Sequence, residues 1–176
     1  MTTAPALLSA EKDAAIRLSF SRQGLMQSLG VEMVRLAPGE AELRLPHSER
    51  VIQQQGGFHG GAIGALADVA GGYAAMTLAS EGDEVTTVEY KINFLAAFTG
   101  GELRARGRVV RAGKRLIVTT AEVTHRADDG TQEGAGPPQA FLTPTGGGLG
   151  AAQPCGRSNT ACAVMQQTIA PVPKRY

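Results

Sequence analysis

A single carboxylate lies in a long uncharged segment of the sequence. Between His59 and Glu81, Asp68 is the one charged residue, and its neighbours are small or apolar. Burial of an unpartnered carboxylate costs several kcal/mol of folding free energy. Two interpretations are therefore open. Asp68 is satisfied by backbone or hydroxyl donors, or it acts as a general base or nucleophile in a cleft.

Two glycines shortly before this carboxylate provide a second chemical group. Gly60 and Gly61 follow His59 and begin an alanine-rich run that extends to about Ser80. A helix that begins at glycine presents backbone N–H groups and the positive end of its dipole without obstructing side chains, which favours binding of an oxyanion. A flexible hinge and a histidine satisfied in the core are the alternatives for this short motif.

The spacing of the two groups limits how they can act together. Asp68 lies eight residues after Gly60, which places them about 12 Å apart along a helix axis. One small acyl group cannot touch both within a single chain. If two copies of the helix pair antiparallel about a two-fold axis, Asp68 of one chain faces Gly60 of the other. We therefore expect a homodimer with its active sites at the subunit interface.

The helix that carries both groups is predicted to be buried. It is apolar on nearly all sides, which indicates that other elements surround it. Gly64, Gly71 and Gly72 interrupt it, and it is too short for a good membrane span. Its small side chains permit close approach of a sheet or a partner helix. We expect no association with a membrane.

Alternating patterns on either side of this helix predict strands. Ser9 can cap an N-terminal helix over about 10–28. Apolar and polar residues alternate most clearly over 88–94. The predicted strands span 31–36, 41–45, 88–94, 103–111 and 116–125. This order of elements predicts an α+β domain in which one antiparallel sheet packs on one long helix.

The composition indicates one compact domain rather than a disordered chain. Of 176 residues, 43% are hydrophobic and 19% are charged. With 17 Lys and Arg against 16 Asp and Glu the net charge is +1, so we expect no nucleic-acid partner. No basic flank precedes an apolar run at the start of the sequence, and Cys155 and Cys162 match no metal-ligand pattern. These features favour a cytoplasmic protein in a reducing compartment.

The last part of the chain differs in composition. Residues 133–176 contain seven Gly and six Pro against four charged residues. We therefore predict a folded domain over 8–132 and an irregular tail over 133–176 that carries both cysteines as incidental thiols. Gly134 to Pro138 would break a final strand, and 140–143 offers only a short substitute. The sheet is then expected to have an imperfect edge or an unfilled strand position.

Four short motifs of this sequence occur together in a known family. They are GFHGGAI at 57–63, LAD at 66–68, TVEYKINFL at 87–95 and GKR at 113–115. Over about residues 20–132 the chain resembles the hotdog-fold acyl-CoA thioesterases of the phenylacetate-pathway type, the PaaI-like family. The resemblance implies a curved antiparallel sheet around a central helix, with homodimers or homotetramers that place active sites between subunits.

The same resemblance implies a role for each candidate catalytic residue. Asp68 would activate the hydrolytic water or attack the thioester, and the backbone N–H of Gly60 would donate to the thioester oxygen. His59 would support the start of the helix by hydrogen bonding, and Thr87 would help to hold the water or the acid. For Thr87 the alternative is an ordinary strand residue. Gln53 stands where many relatives have Asn. The side chain of Gln is longer than that of Asn, so its amide group would hydrogen-bond at a different position.

Further residues are candidates for substrate binding. Tyr73, Met76 and Phe94 could line an acyl channel, or belong to the core. Gly61 lies beside Gly60 at the N-terminus of the predicted helix. The basic residues of 104–115 form either a solvated outer face of the sheet or, near its turn, partners of the coenzyme A phosphates. The candidates for the phosphates are Arg111, Lys114 and Arg115.

The resemblance implies hydrolysis of an acyl-CoA thioester to free acid and CoA. The inferred site would supply the polarised carbonyl and the activated water that this reaction needs, with no metal or other cofactor implied. A non-catalytic acyl-CoA sensor and a hotdog 3-hydroxyacyl-thioester dehydratase are the alternatives. No G-x-S-x-G motif supports a serine hydrolase. His47, His59 and His125 lie too far apart in sequence for a paired zinc-ligand spacing.

Overall fold

The computed structural model describes residues 7–127 and 160–173. Its elements are α1 (Ala10–Ser21), α2 (Gly24–Leu29), β1 (Glu32–Ala37), β2 (Glu40–Pro46), α3 (Gly60–Met76), β3 (Asp83–Phe94), β4 (Glu102–Ala112), β5 (Ile117–Arg126) and β6 (Thr160–Pro173). The strands and the long helix predicted up to β5 are confirmed, with shifted ends. The α+β class is confirmed as well.

The N-terminal helix predicted as one segment is two helices. Ser9 caps α1 as expected, because its side chain accepts a hydrogen bond from the first turn. The backbone is extended at Gln23, which separates α1 from α2, and its side chain donates instead to the hydroxyl of Tyr73. Gly30 ends α2 in the left-handed conformation, with φ 76°. The prediction of a continuous helix over 10–28 is therefore wrong.

The six strands form one antiparallel sheet in the order β1-β2-β4-β5-β6-β3. Helix α3 packs across one face, which we call the inner face, and the opposite face is the outer face. Gly107 of β4 makes this packing close, since a Cβ there would lie 2.1 Å from the carbonyl oxygen of Ala70 and 2.6 Å from the nitrogen of Gly71. The predicted arrangement of an antiparallel sheet on a long helix is confirmed.

Strand β6 lies where the composition predicted irregular structure. It pairs with β5 on one side and β3 on the other, so it is an internal strand. The predictions of an irregular tail and of an unfilled strand position are wrong for residues 160–173. Ala163, Met165, Gln167 and Ile169 recur at a spacing of two and are buried on the inner face. This alternation of buried residues determines the strand, although the longer segment is on average rich in glycine and proline.

The two cysteines differ in what the structure shows. Cys162 is fully buried in β6, and its thiol lies 3.4 Å from the carbonyl oxygen of Ala96. The interpretation of Cys162 as a thiol on a flexible segment is therefore wrong. Burial raises the pKa of this thiol to about 11. Cys155 and the short strand considered at 140–143 lie outside the described residues.

Among the described residues, α3 is the longest helix, with 17 residues. Within the two described ranges, no helix is long and apolar enough to cross a membrane.

Candidate active site

His59 shapes the first turn of α3. It is the N-cap, and its Nδ1 accepts a hydrogen bond from the N–H of Gly61 at 2.8 Å. Because Nδ1 accepts, a neutral ring carries its proton on Nε2. The N–H of Gly60 has no acceptor within the described part of the chain. This amide therefore remains available to a ligand at the positive end of the helix dipole.

Asp68 lies near the middle of α3 and is half-buried. Its Oδ1 accepts hydrogen bonds from Thr87 Oγ1 and from Gln167 Nε2, each at 2.7 Å. Gln167 Nε2 also donates to the backbone carbonyl of Asp68 at 3.0 Å. No group among residues 7–127 and 160–173 donates to Oδ2. One carboxylate oxygen is thus fixed by the protein, and the other can meet water or a substrate.

Thr87 reaches Asp68 because β3 contains a bulge. The register between β3 and β6 shifts between Thr87 and Glu89, so Val88 is the extra residue. Strict alternation would put Thr87 and Tyr90 on opposite faces of the strand. The bulge instead places Thr87 opposite the buried Ile169, on the inner face. The regular alternation predicted for residues 88–94 therefore does not by itself place Thr87 on the same face as Asp68.

A cavity of about 310 Å³ opens beside Asp68 and Thr87. Its wall combines apolar side chains with a few polar groups from α1, α2, α3 and the start of β3, as is usual for small-molecule sites. The other lining residues are Ser19, Gln23, Leu25, Met26, Ala65, Val69, Gly72, Tyr73, Met76, Glu84 and Val85. The cavity is large enough for a small acyl group whose carbonyl lies near Asp68.

Two of the proposed acyl-channel residues, Tyr73 and Met76, lie in this wall. Tyr73 is also a core residue, because its ring packs edge-on against Phe20 at 5.6 Å. Its hydroxyl lies 3.2 Å from Ser19 Oγ and accepts a hydrogen bond from Gln23 Nε2 at 3.0 Å. Burial raises the pKa of the Tyr73 hydroxyl. The ring is thus held by α1 and by the residue between α1 and α2.

Two other candidates lie apart from the Asp68 cavity. The ring of Phe94 covers Gly60, where a Cβ would lie 3.4 Å from Phe94 Cζ. Gln53 lies in the loop before α3, and its side-chain oxygen accepts a hydrogen bond from the N–H of Gln55. Within one chain, therefore, Phe94 lies against the N-terminus of α3 and Gln53 stabilises its own loop.

The basic residues of 104–115 form two groups. On the outer face, Arg104 pairs with Glu42 and Glu102, and Arg106 and Arg108 pair with Glu40. The interpretation of these three as an outer face of the sheet agrees with the structure. Arg111, Lys114 and Arg115 are exposed where β4 and β5 meet, and none has an ion pair within the described ranges. These three remain available to an anionic ligand.

Several residues of this site were not predicted from the sequence. Gln167 and Thr119 support Asp68 from β6 and β5, and Ser19, Gln23, Leu25 and Met26 line the cavity. The spacing of buried residues around Gln167 is a signal that could have revealed a polar group on an inner face. No sequence signal indicates which face of α1 and α2 meets α3.

Comparison with known sequences identifies the family. Residues 55–131 match the model of the thioesterase superfamily. A Saccharolobus solfataricus protein with an esterase name is 36% identical over 98 residues, which cover 56% of this chain and 69% of that protein. The 1,4-dihydroxy-2-naphthoyl-CoA hydrolase of Listeria monocytogenes is 29% identical over 105 residues, which cover 60% of this chain and 85% of that enzyme.

Comparison with solved structures identifies the fold. A thioesterase family protein from Silicibacter pomeroyi superposes with a TM-score of 0.74 at 30% identity, covering 92% of this chain and 98% of that one. The PaaI protein of E. coli, from the phenylacetic acid degradation operon, superposes with a TM-score of 0.68 at 19% identity, covering 94% and 96%. The chain belongs to the thioesterase superfamily and has the hotdog fold, as the sequence motifs predicted.

Proposed function

We propose that this protein hydrolyses an acyl-CoA thioester to a free acid and CoA at active sites shared by two chains. The observation that carries this proposal is the carboxylate of Asp68, which Thr87 and Gln167 hold by one oxygen beside an acyl-sized cavity. Membership of the thioesterase superfamily supports thioester hydrolysis. The name of the Listeria relative supports a CoA ester as the substrate class.

The first part of the mechanism is polarisation of the thioester carbonyl. We assign this role to the N–H of Gly60, because it has no acceptor within the described part of the chain and lies at the positive end of α3. Donors placed where negative charge develops stabilise the transition state more than the ground state. His59 contributes by fixing the same turn through Gly61.

The second part is formation of the new carbon–oxygen bond, for which Asp68 has two routes. As a general base, it takes a proton from water while the water oxygen bonds to the carbonyl carbon. The carbon–sulfur bond then breaks, and the CoA thiolate leaves and receives the proton. As a nucleophile, it attacks the carbonyl carbon, expels the thiolate and forms an anhydride that water hydrolyses.

The two groups act together in our proposal because a second chain completes the site. β3 is an edge strand of the described sheet, and its side chains Val88, Tyr90 and Phe94 are each at least half exposed. An exposed apolar edge strand favours pairing with another strand. A second copy paired there would run its α3 antiparallel to the first, which brings Gly60 of one chain towards Asp68 of the other.

The test of hydrolysis is a thiol-release assay with aryl, short, medium and long acyl-CoAs. We expect turnover of at least one substrate, and a loss of at least about 100-fold in kcat for Asp68→Asn. Asp13→Asn is the matched control, since Asp13 lies on exposed α1 and pairs with Arg17. Undiminished turnover by Asp68→Asn would refute the assignment, and binding without turnover by the wild type would favour an acyl-CoA sensor.

The structure weakens one reason for considering a sensor. The unfilled strand position expected from the sequence would favour a protein that binds acyl-CoA without turnover, and β6 fills that position. A 3-hydroxyacyl-CoA tests the dehydratase alternative when formation of the enoyl thioester is followed alongside thiol release. Loss of water without thiol release would favour a dehydratase over a hydrolase.

The test of the shared site is a mixing experiment with two inactive chains. Gly60→Pro removes the N–H at the first helical position, where proline is tolerated, and Gly60→Ala keeps it as the matched control. Mixing Gly60→Pro with Asp68→Asn chains should restore about a quarter of the wild-type activity, because half of the dimers then hold one intact site. No recovery after verified subunit exchange would place both groups in one chain.

The exposed cations provide a test of the CoA end of the substrate. We infer that Arg111, Lys114 and Arg115 meet the phosphates of CoA, since they are exposed and have no ion pair within the described ranges. Replacing all three with Gln should raise KM for acyl-CoA but not for the matching acyl-pantetheine, which lacks those phosphates. An equal change for both substrates would contradict this assignment. Arg106→Gln is the control, because Arg106 is paired with Glu40.

A further inference from the structure

Gln167 is a buried amide outside the sequence motifs, and it takes part in none of the bond-forming or proton-transfer steps proposed above. It lies on β6 with 1% of its surface exposed, outside the residues that match the family model. A buried amide is costly unless its hydrogen bonds are satisfied. Gln167 satisfies them with two partners on other elements, Asp68 of α3 and Thr119 of β5.

The chemistry of these partners fixes the orientation of the amide. The carboxylate and carbonyl oxygens of Asp68 only accept hydrogen bonds, so the NH₂ group of Gln167 must face them. Its Oε1 then faces Thr119 Oγ1 at 2.9 Å, and this hydroxyl donates. Thr119 is fully buried and lies directly opposite Gln167 in the β5–β6 register. The chain of donors therefore runs in one direction, from Thr119 through Gln167 to Asp68.

The backbone of α3 also accommodates this amide. A Cβ at Gly71 would lie 1.5 Å from Gln167 Oε1 and 2.8 Å from Thr119 Oγ1. Any side chain at position 71 would therefore displace the pair. The helix, the sheet and the two side chains thus fit one another at this point.

We propose that Gln167, oriented by Thr119, is a positioning residue that restrains Asp68 Oδ1 so that Oδ2 is the reacting oxygen. Oδ1 already accepts from both Thr87 and Gln167, whereas Oδ2 has no donor within residues 7–127 and 160–173. Restraint of a reacting group raises the rate without a contact to the substrate. This inference rests on the proposed function of Asp68, whichever of its two routes operates.

The first test compares kinetic constants of variants that differ by one group. Gln167→Met keeps the length of the side chain and removes its polar atoms, and we expect kcat to fall roughly 10- to 100-fold with KM little changed. Gln166→Met is the matched control, because Gln166 is the neighbouring residue on the exposed outer face. Equal constants for Gln167→Met and the wild type would overturn the proposal.

A second pair separates positioning from packing. Thr119→Val keeps the shape and removes the hydroxyl, whereas Thr119→Ser keeps the hydroxyl and removes a methyl group. Positioning predicts a lower kcat for Thr119→Val and activity close to wild type for Thr119→Ser. A packing role predicts the reverse order, because the loss of a buried methyl group leaves a cavity. That reverse order would overturn the proposal.

Crystal structures of Gln167→Met and Gln166→Met give an answer that does not depend on turnover. We expect the Asp68 carboxylate to rotate away from its wild-type position in Gln167→Met and to stay in place in Gln166→Met. An unmoved carboxylate in Gln167→Met would refute the positioning role. If the wild type hydrolyses no thioester but the carboxylate rotates, the proposed function fails and the positioning by Gln167 stands.

Discussion

The two faces of the sheet use polar side chains in opposite ways. On the inner face, Thr87 and Gln167 donate to the carboxylate of Asp68, and Thr119 donates to Gln167. On the outer face, arginines and glutamates form ion pairs that remain partly exposed to solvent. Buried polar groups fix one geometry and are costly to disturb, whereas exposed ion pairs contribute little to stability. We therefore expect inner-face changes to have the larger effects.

Gly107 is the inner-face position where we expect the largest effect. A Cβ there would meet the backbone of α3, which cannot move aside as a side chain can. Gly107→Ala should lower the free energy of unfolding by about 3 kcal/mol or more, measured by chemical denaturation. Arg106→Ala, one residue earlier and on the outer face, should cost less than about 1 kcal/mol. Similar values for both variants would contradict the difference between the faces.

Gly71 and Gly72 provide a matched pair within α3. Gly71→Ala displaces Gln167 and should lower the free energy of unfolding by about 2 kcal/mol, even though alanine favours helix. A Cβ at Gly72 meets nothing within 4 Å, so Gly72→Ala should raise stability by up to about 1 kcal/mol. Thermal denaturation of the two variants measures the difference. Stabilisation by both substitutions would show that Gln167 is not held against the helix.

The rate at which the Cys162 thiol is alkylated tests how well the inner face stays buried. Burial raises its pKa to about 11, from an ordinary value of 9.0, and the thiolate is the form that reacts. In a Cys155→Ser background at pH 8, the folded protein should therefore be alkylated at least about 100-fold more slowly than the denatured chain. Equal rates would show that β6 opens readily. Mass spectrometry of quenched samples measures the rates.

Glu40 gives the smallest expected effect, on the outer face. Its hydrogen bond with Arg106 and the charges of neighbouring arginines lower the pKa of its carboxyl. A lowered pKa in the folded state stabilises the protein above the ordinary value of 4.5, and this stabilisation is lost as the pH falls through the folded-state pKa. Glu40→Gln should cost less than about 1 kcal/mol at pH 7 and nothing at low pH.

The control for this outer-face prediction is Glu49→Gln, since Glu49 lies exposed in the loop after β2. It should leave the free energy of unfolding at pH 7 close to that of the wild type. A loss of several kcal/mol for Glu40→Gln at pH 7 would mean that the outer face supports the fold as strongly as the inner face does.

Local patterns were sufficient to predict most of the fold. The apolar run after His59 identified α3, and alternation identified the strands up to β5. β6 was missed because the composition of its 14 residues was averaged with that of a longer segment rich in glycine and proline. The extended backbone at Gln23 was missed for another reason. It is stabilised by a tertiary hydrogen bond to Tyr73, and helical spacing carries no information on such contacts.

The charged residue of the candidate site was predictable from the sequence, but the residues that hydrogen-bond to it were not. The isolation of Asp68 among apolar residues is visible in the sequence. Its donor Gln167 lies 99 residues further along the chain, and no local pattern links the two. Thr87 requires the bulge at Val88 to reach the inner face, and one extra residue in a strand has no distinct sequence signature.

The cavity wall is built from two stretches of the chain. Ser19, Gln23, Leu25 and Met26 come from α1, α2 and the residue between them, whereas the residues that match the family begin at 55 and supply the rest of the wall, with Asp68 and Thr87 among them. Under the proposed function, we expect the first stretch to influence which acyl group is accepted without contributing a reacting group. Exchange of residues 10–29 for those of a relative is then expected to change the relative rates with different acyl-CoAs while Asp68 and Gly60 stay in place.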